Sequence, residues 1–285
     1  MIKPLAAILG DIKIQHTLFA MPFAIMSAFM AADGVPPLAL LGWITAAMVL
    51  ARSAAMAFNR LVDEPFDSEN PRTQNRALPA GEASRVQYMI FILACGVGFI
   101  MVCSMINVMA ARLAPFALLI VFFYSYTKRI THYSHFFLGL ALSLAPMGGW
   151  VAVREEFALA PSLLGIAVIF WLAGLDTIYS CQDARFDSEK GLYSIPRRFG
   201  VGKALSMASA FHAVMVAALL LVAVAAHLSW IYLAGVGFTA LMLYYEHSLV
   251  RPEDLSKVNV AFFNVNGVIS VGLMVFTIAD IIIKP

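Results

Sequence analysis

The sequence predicts an all-α polytopic membrane protein, and three observations lead to that prediction. The chain has 285 residues, of which 61% are hydrophobic and only 13% are charged, with a mean hydropathy of +0.84. Apolar runs of about 18 to 22 residues recur along it, the length that a helix needs to cross a bilayer. Acidic residues are concentrated, since windows 59–69 and 176–189 hold eight of the 17. We therefore expect one membrane domain over 1–285, surrounded by lipid bilayer, with no separate soluble domain.

Nine spans are predicted to form a helical bundle whose central cavity opens to the cytoplasmic side. The predicted spans are 14–32, 38–58, 86–106, 110–127, 135–153, 161–181, 204–226, 228–247 and 260–283. Lys3 and Lys13 before an apolar run are also typical of a signal peptide. The many further spans and the lack of a convincing cleavage site favour a retained first helix instead.

The distribution of basic residues predicts the orientation of the bundle. With the N-terminus in the cytoplasm, 15 of the 19 Lys and Arg residues lie on the cytoplasmic side and three lie on the other, which leaves Arg52 inside a span. Short loops on the cytoplasmic side are typically rich in Lys and Arg. Both acidic windows then face the cytoplasm, where soluble phosphorylated metabolites are found.

An acidic phrase that occurs twice suggests an internal repeat. Residues 63–69 read Asp-Glu-Pro-Phe-Asp-Ser-Glu, and residues 183–189 read Asp-Ala-Arg-Phe-Asp-Ser-Glu, 120 positions later. Each copy directly follows a long apolar segment and belongs to a long acidic loop, 59–85 in one half and 183–203 in the other. Most other connections are short, so function is expected to concentrate in these two loops.

The spacing of the acids predicts a divided site for divalent metal. Two sets of side chains recur at i, i+4 and i+8: Asn59, Asp63 and Asp67, then Tyr179, Asp183 and Asp187. On a helix this spacing stacks side chains on one face, where neighbouring carboxylates repel each other. Mg²⁺ relieves such repulsion by binding one or two carboxylates together with substrate phosphate oxygens. We therefore expect the four aspartates to hold Mg²⁺ and grip a diphosphate; the alternative is solvated helix ends.

Pro65 complicates the first cluster. It lies between Asp63 and Asp67, and a proline inside a helix removes one hydrogen bond. We expect it to kink this segment, so that the helical spacing is more regular in the second cluster than in the first.

Arg52 and Asp176 are charged residues at membrane depth. Such groups are expensive in a bilayer and are treated as functional unless they have a structural partner. Arg52 stands seven residues before Asn59, on the same helical face, and is expected to face an internal cavity and bind an anion. The alternative is an ion pair between Arg52 and Asp176. Tyr124 and Tyr179 are candidates to line the same cavity, with core packing as their alternative.

Basic residues near the aspartates are expected to complete the site. Arg72 and Lys128 are candidates for direct contact with diphosphate oxygens, because charge-assisted hydrogen bonds to phosphate are strong. Arg76 and Arg129 belong to the same basic group. His132 and His135 suggest a metal pair only weakly, and polar residues at the membrane interface are the simpler interpretation.

These motifs together resemble the UbiA superfamily of intramembrane aromatic prenyltransferases over nearly the whole chain. The resemblance is carried by residues 59–67, the loop 70–81, residues 176–187 and the segment 191–200. It is strongest with the 4-hydroxybenzoate polyprenyltransferase branch, and residues 12–17 and 191–200 resemble members assigned to menaquinone synthesis through futalosine. The Asn59-Arg60 start, where other branches often have Asn-Asp, and Pro65 are departures that concern the acceptor.

The resemblance implies a reaction and a role for each site residue. A polyprenyl diphosphate and an aromatic acid acceptor would be its substrates and Mg²⁺ its cofactor, in ubiquinone or menaquinone synthesis at a bacterial inner membrane. Asp63, Asp67, Asp183 and Asp187 would hold the metal. The diphosphate would lie against a basic and polar set: Arg72, Lys128, Arg129 and Ser194. The catalytic set would comprise the residues around the acceptor: Arg52, Asn59, Tyr124, Asp176 and Tyr179.

Two other classes of membrane protein compete with this reading. A CDP-alcohol phosphatidyltransferase also carries spaced aspartates, but its Asp-Gly-x-x-Ala-Arg start does not occur in this chain. A secondary transporter often has an inverted repeat and intramembrane acids. Here both acidic loops are predicted on one face, which suits a one-sided reaction chamber better than alternating access. No feature indicates a nucleic-acid ligand or an obligatory protein partner.

Overall fold

The computed structural model describes residues 2–12 and 19–283, and these residues form an all-helical bundle. Twelve α-helices are present in the described part of the chain: α1 (Ile2–Asp11), α2 (Met21–Ala32), α3 (Leu38–Asp67), α4 (Arg85–Ile106), α5 (Val108–Thr127), α6 (Ser134–Arg154), α7 (Leu159–Ser180), α8 (Ala184–Glu189), α9 (Ile195–Phe199), α10 (Val201–Ala225), α11 (Trp230–Ser248) and α12 (Asn266–Ile283). A short 3₁₀ turn, Cys181–Asp183, joins α7 to α8, and a π-helical segment, Val260–Val265, leads into α12.

Each predicted span has a helical counterpart, although the spans differ in length. Seven helical segments of the described chain are long and apolar enough to cross a membrane, and α2 is a shorter apolar helix. Residues 14–18 of the predicted first span lie outside the described residues, so its helix is seen from Met21. The predicted second span ends at 58, whereas α3 continues for nine further residues to Asp67. The protein is thus an integral membrane protein.

The core is centred on α7, which packs against α6 and α10. Trp171 and Leu164 of this helix are fully buried, together with side chains from α2, α10, α11 and α12. By contrast, α4 and α5 bury little of their surface inside the bundle, and α3 packs mainly against α4 and α5. The first acidic cluster therefore lies at the end of α3, whereas the second lies in the turn and short helix α8 that directly follow α7, and α3 and α7 pack mainly against different neighbours.

Pro65 does not end helix α3. The helix continues through Pro65 to Asp67, with the proline in its last turn. The second cluster is the irregular one, since α7 ends at Ser180 and the chain passes through the 3₁₀ turn before α8. The expectation that the second cluster is the more regular helix was wrong.

Small residues bring α6 unusually close to its neighbours. A Cβ atom placed on Gly149 would lie 2.2 Å from the carbonyl oxygen of Ala24 in α2, and one on Gly139 would lie 2.5 Å from that of Ile169 in α7. Small residues at such crossings allow membrane helices to pack backbone against backbone. The position of α6 relative to both helices therefore depends on these glycines.

This close approach makes Gly149→Ala destabilising, although alanine favours helices. The added methyl group collides with backbone, so α6 and α2 must separate, at a cost of about 1–3 kcal/mol. Gly148→Ala is the matched control, because nothing lies within 4 Å of its Cβ position. In thermal unfolding of detergent-solubilised protein, we expect a lower midpoint for Gly149→Ala only. Equal midpoints for the two variants would contradict the crossing.

Candidate active site

Two adjoining cavities lie inside the bundle, one polar and one mainly apolar. The polar cavity has a volume of about 190 Å³ and is lined by both acidic clusters and the basic residues around them. The larger cavity, of about 940 Å³, runs between α3, α4, α5 and α6 as far as Phe157 beyond the end of α6. Five residues predicted for the site line both cavities at their junction: Asn59, Arg72, Tyr124, Asp176 and Tyr179.

The four aspartates of the predicted metal site lie around the polar cavity, and each is paired with a basic side chain. On α3, Asp63 accepts a 2.8 Å hydrogen bond from Arg129, and Asp67 pairs with Arg76 at 2.5 Å. In the other half of the chain, Asp183 pairs with Arg72, and Asp187 lies 2.9 Å from the ammonium of Lys128. Sequence reasoning grouped these acids and bases correctly but did not predict the individual pairs.

The pair between Arg72 and Asp183 joins the two acidic loops. Arg72 donates from Nε and Nη2 to the two carboxylate oxygens at 3.0 and 2.5 Å, and from Nη1 to the Tyr179 hydroxyl at 2.9 Å. Such a two-pronged contact with a carboxylate is the strongest geometry available to arginine. Burial alone would lower the pKa of Arg72, but the hydrogen bonds and charge of Asp183 raise the pKa above its usual value. Arg72 therefore stays charged at neutral pH.

Lys128 lies on the opposite wall of the polar cavity, directly after α5. Burial is the largest single influence and favours the neutral amine, but the charge and hydrogen bond of Asp187, together with the charges of Asp183 and Asp176, raise the pKa of Lys128 above its usual value. Its ammonium therefore remains positive. The backbone carbonyl of Lys128 accepts a 2.8 Å hydrogen bond from Tyr193, so the loop before α9 is attached to the end of α5.

Two residues predicted to bind diphosphate have other roles in this structure. Arg129 is held by Asp63 and by the backbone carbonyls of Val62 and Ser125, both at 2.9 Å, so its donors fasten the end of α5 to α3. Ser194 is fully buried and lines neither cavity within the described residues. Its hydroxyl accepts a hydrogen bond from the backbone N–H of Arg197 and caps α9.

Arg52 faces the apolar cavity, as predicted, and the alternative ion pair with Asp176 is not formed. Among the described residues, no carboxylate lies within ion-pair distance of Arg52, and its buried Nε has no hydrogen-bond partner. Asp176 instead accepts a 2.7 Å hydrogen bond from His135. A buried guanidinium nitrogen without a hydrogen-bond partner is costly, so the position is suited to an anionic ligand.

The sequence analysis assigned no role in the site to three aromatic residues, and it missed the role of one histidine. The ring centroids of Phe262 and Tyr179 are 4.4 Å apart, and Phe19 and Phe263 also line the apolar cavity. The π-helical segment that presents Phe262 and Phe263 could not be predicted from apolar periodicity. His135 was considered only as part of a weak metal pair, yet it contacts Asp176 and not His132.

The donor set around the polar cavity is suited to Mg²⁺. Carboxylate oxygens are the hard ligands that this ion prefers, and four of them come from two sides of one cavity. In the described residues, however, no three His, Cys, Asp or Glu side chains already converge on one point. Binding a metal would therefore require the aspartates to exchange contacts with their basic partners.

Comparisons with known proteins agree with this arrangement. A model of the UbiA prenyltransferase family matches residues 20–268. The chain is 33% identical over 268 residues to a 4-hydroxybenzoate octaprenyltransferase of Xanthomonas campestris pv. campestris, a match that covers 94% of this chain and 87% of the relative.

Solved structures show the same fold. A UbiA homologue from Aeropyrum pernix K1 aligns with a TM-score of 0.85 and 32% identity, covering 94% of this chain and 98% of that one. A UbiA homologue from Archaeoglobus fulgidus bound to DMAPP and Mg²⁺ aligns with a TM-score of 0.76, covering 96% and 98% of the two chains. At 19% identity, this second likeness concerns the fold alone.

The contact between Arg72 and Asp183 predicts a compensating pair of mutations. Arg72→Gln leaves the Asp183 carboxylate without its main partner and should lower the free energy of unfolding by about 1–3 kcal/mol. Adding Asp183→Asn removes the uncompensated charge and should restore most of that stability. Arg185→Gln is the control, since Arg185 is 93% exposed and pairs only with Glu189. Unfolding midpoints in detergent compare the wild type with these three variants, and a double variant no more stable than Arg72→Gln alone would contradict the contact.

Proposed function

This chain belongs to the UbiA prenyltransferase family, and we propose that it transfers a polyprenyl group from a polyprenyl diphosphate to an aromatic acid. One observation carries the proposal: four aspartates from two distant segments of the chain line one polar cavity, which opens directly into a long apolar cavity. This arrangement suits a substrate with a diphosphate head and a hydrocarbon tail. The relatives that bear the name 4-hydroxybenzoate octaprenyltransferase support 4-hydroxybenzoate, or a related naphthoate, as the acceptor.

The diphosphate head is assigned to the polar cavity. Asp63, Asp67, Asp183 and Asp187 would hold Mg²⁺ there, as the solved homologue with bound DMAPP and Mg²⁺ supports. Bound Mg²⁺ neutralises phosphate charge and so makes the diphosphate a better leaving group. Arg72 and Lys128, both charged at neutral pH, would turn from their aspartates to the phosphate oxygens.

The acceptor is assigned to the junction of the two cavities. Arg52 would bind the carboxylate of the aromatic acid, because its guanidinium lies in the apolar cavity away from the aspartates. Asn59 would orient the ring, although here its amide donates to Asp63 at 2.8 Å. Tyr124, Tyr179 and the adjacent Phe262 would enclose the allylic part of the donor in aromatic surface.

The reaction is an electrophilic substitution on the aromatic ring. The allylic C–O bond breaks with its electron pair on the departing diphosphate, and the ring carbon ortho to the hydroxyl forms the new C–C bond. The ring then loses its proton at that carbon, and Asp176 is placed at the cavity junction to accept it. The apolar surroundings keep water from the carbocation.

The location follows from the same assignment. We assign the protein to a bacterial inner membrane, with its N-terminus and the polar cavity on the cytoplasmic side, since most basic residues lie at that end. The product would serve ubiquinone or menaquinone synthesis.

Metal dependence is the first test of this function. Because four carboxylates alone repel a diphosphate, EDTA should abolish prenyl transfer and added Mg²⁺ should restore it. The measurement is mass spectrometry of products from purified protein supplied with a polyprenyl diphosphate and a panel of aromatic acids. Full turnover in EDTA would refute the proposed role of the aspartates, whereas transfer to no aromatic acid in the panel would refute the acceptor.

Matched removal of one charge from each cavity separates the two substrates. Arg52→Gln should weaken binding of the acceptor, and Lys128→Gln should weaken binding of the donor. Each loss should be about 1.5–3 kcal/mol, or roughly 10- to 150-fold in affinity. Apparent affinities come from initial rates with one substrate varied and the other saturating. An effect of Arg52→Gln on the donor alone would show that Arg52 does not bind the acceptor.

A further inference from the structure

His135 connects the proposed catalytic acid to the second acidic loop. Its Nδ1 lies 2.7 Å from Oδ2 of Asp176, and its Nε2 lies 3.3 Å from the backbone nitrogen of Ile195. The imidazole is 1% exposed and lines neither cavity in the described structure, whereas Asp176 lines both. His135 therefore lies behind the cavity lining, and its direct contact with a residue at the cavity junction is the one with Asp176.

The hydrogen-bond partners determine which ring nitrogen of His135 carries the proton. The backbone N–H of Ile195, in the first turn of α9, can only donate, so Nε2 must offer its lone pair. The proton of a neutral imidazole is then on Nδ1, where it is donated to the Asp176 carboxylate. A doubly protonated ring would place two N–H donors against each other at Ile195.

The same histidine is held by the loop that carries part of the polar cavity. Residues 193–195 are attached to the segment between α5 and α6 at three points. Tyr193 donates to the carbonyl of Lys128 at 2.8 Å, the carbonyl of Ser194 lies 3.1 Å from His132, and Ile195 donates to His135. The orientation of the imidazole thus depends on its hydrogen bond with Ile195 in this loop. Three residues, 190–192, separate this attachment from the end of the acidic helix α8.

We propose that His135 is the positioning residue for Asp176: its Nδ1–H holds one carboxylate oxygen, so that the other faces the acceptor ring. This inference rests on the proposed function, because it gives Asp176 its geometry in proton removal. A neutral hydrogen-bonding role is sufficient, and His135 itself exchanges no proton with the substrate. Holding a reacting group in place contributes strongly to rate, since misplacement by about 1 Å costs roughly 10²-fold.

Three substitutions separate positioning from other roles of the histidine. His135→Leu removes both hydrogen bonds and should slow the single-turnover rate by roughly 10²-fold, with little change in donor affinity. His135→Gln keeps one donor and one acceptor without a titrating ring, and should recover most of the loss. His132→Leu, which removes the neighbouring contact with Ser194 but keeps both hydrogen bonds of His135, should leave the rate close to wild type. Equal slowing by Gln and Leu at position 135, or by Leu at 132 and 135, would overturn the proposal.

A double-mutant cycle asks whether His135 acts through Asp176. In an Asp176→Asn background, His135→Leu should change the single-turnover rate by less than about twofold, because the carboxylate it positions is already gone. If the wild type forms product and the losses of the two single variants add in the double variant, the inference is overturned and the proposed function still stands. Absence of product with every aromatic acid would instead refute the proposed function.

The tautomer of His135 can be measured without catalysis. Nitrogen NMR of protein with labelled histidines, with His135→Gln to assign the signal, should show a neutral ring protonated at Nδ1. A proton at Nε2, or a doubly protonated ring, would overturn the geometry even if His135→Leu fails to fold.

Discussion

Carboxylates at the edge of an apolar bundle need positive charge close by, and the whole site is organised around that need. Each of the four clustered aspartates is paired with an arginine or lysine from another part of the chain. These pairs draw together α3, the end of α5, the loop after α3 and the segment around α8. Since an unpaired charge in such surroundings costs several kcal/mol, the ionic contacts and the helical fold depend on each other.

The same pairs bring carboxylates and basic groups together around one polar cavity, as the proposed site for a metal and a diphosphate requires. In that proposal the aspartates would exchange their basic partners for Mg²⁺, and the released basic groups would meet the phosphate oxygens. Arg52 differs from these basic residues, because among the described residues no carboxylate forms an ion pair with it and its Nε has no hydrogen-bond partner. The aspartates of the polar cavity are therefore paired, whereas the Nε of Arg52 in the larger cavity is not, and the proposed function assigns the diphosphate to the first position and the acceptor carboxylate to the second.

Much of the fold could be predicted from sequence, because membrane spans are set by local apolar length and the clusters by local spacing. The pairing of each acid with its base could not, since it depends on how two long loops fold. Asp176 and His135 are 41 positions apart on different helices, and neither apolar pattern nor motif joins them. Pro65 misled because its effect depends on its distance from the helix end, and the π-helical segment has no distinct periodicity.

The two acidic clusters lie at the end of α3 and directly after α7, two helices that pack mainly against different neighbours. Two ion pairs connect the segments that follow these helices, Arg72 with Asp183 and Lys190 with Glu69. The distance between the two acidic clusters across the polar cavity therefore depends on ion pairs, which are sensitive to ionic strength, while the surrounding helices are held by close packing. In the proposed function, a diphosphate head would therefore exchange these ion pairs and would not have to separate the packed helices.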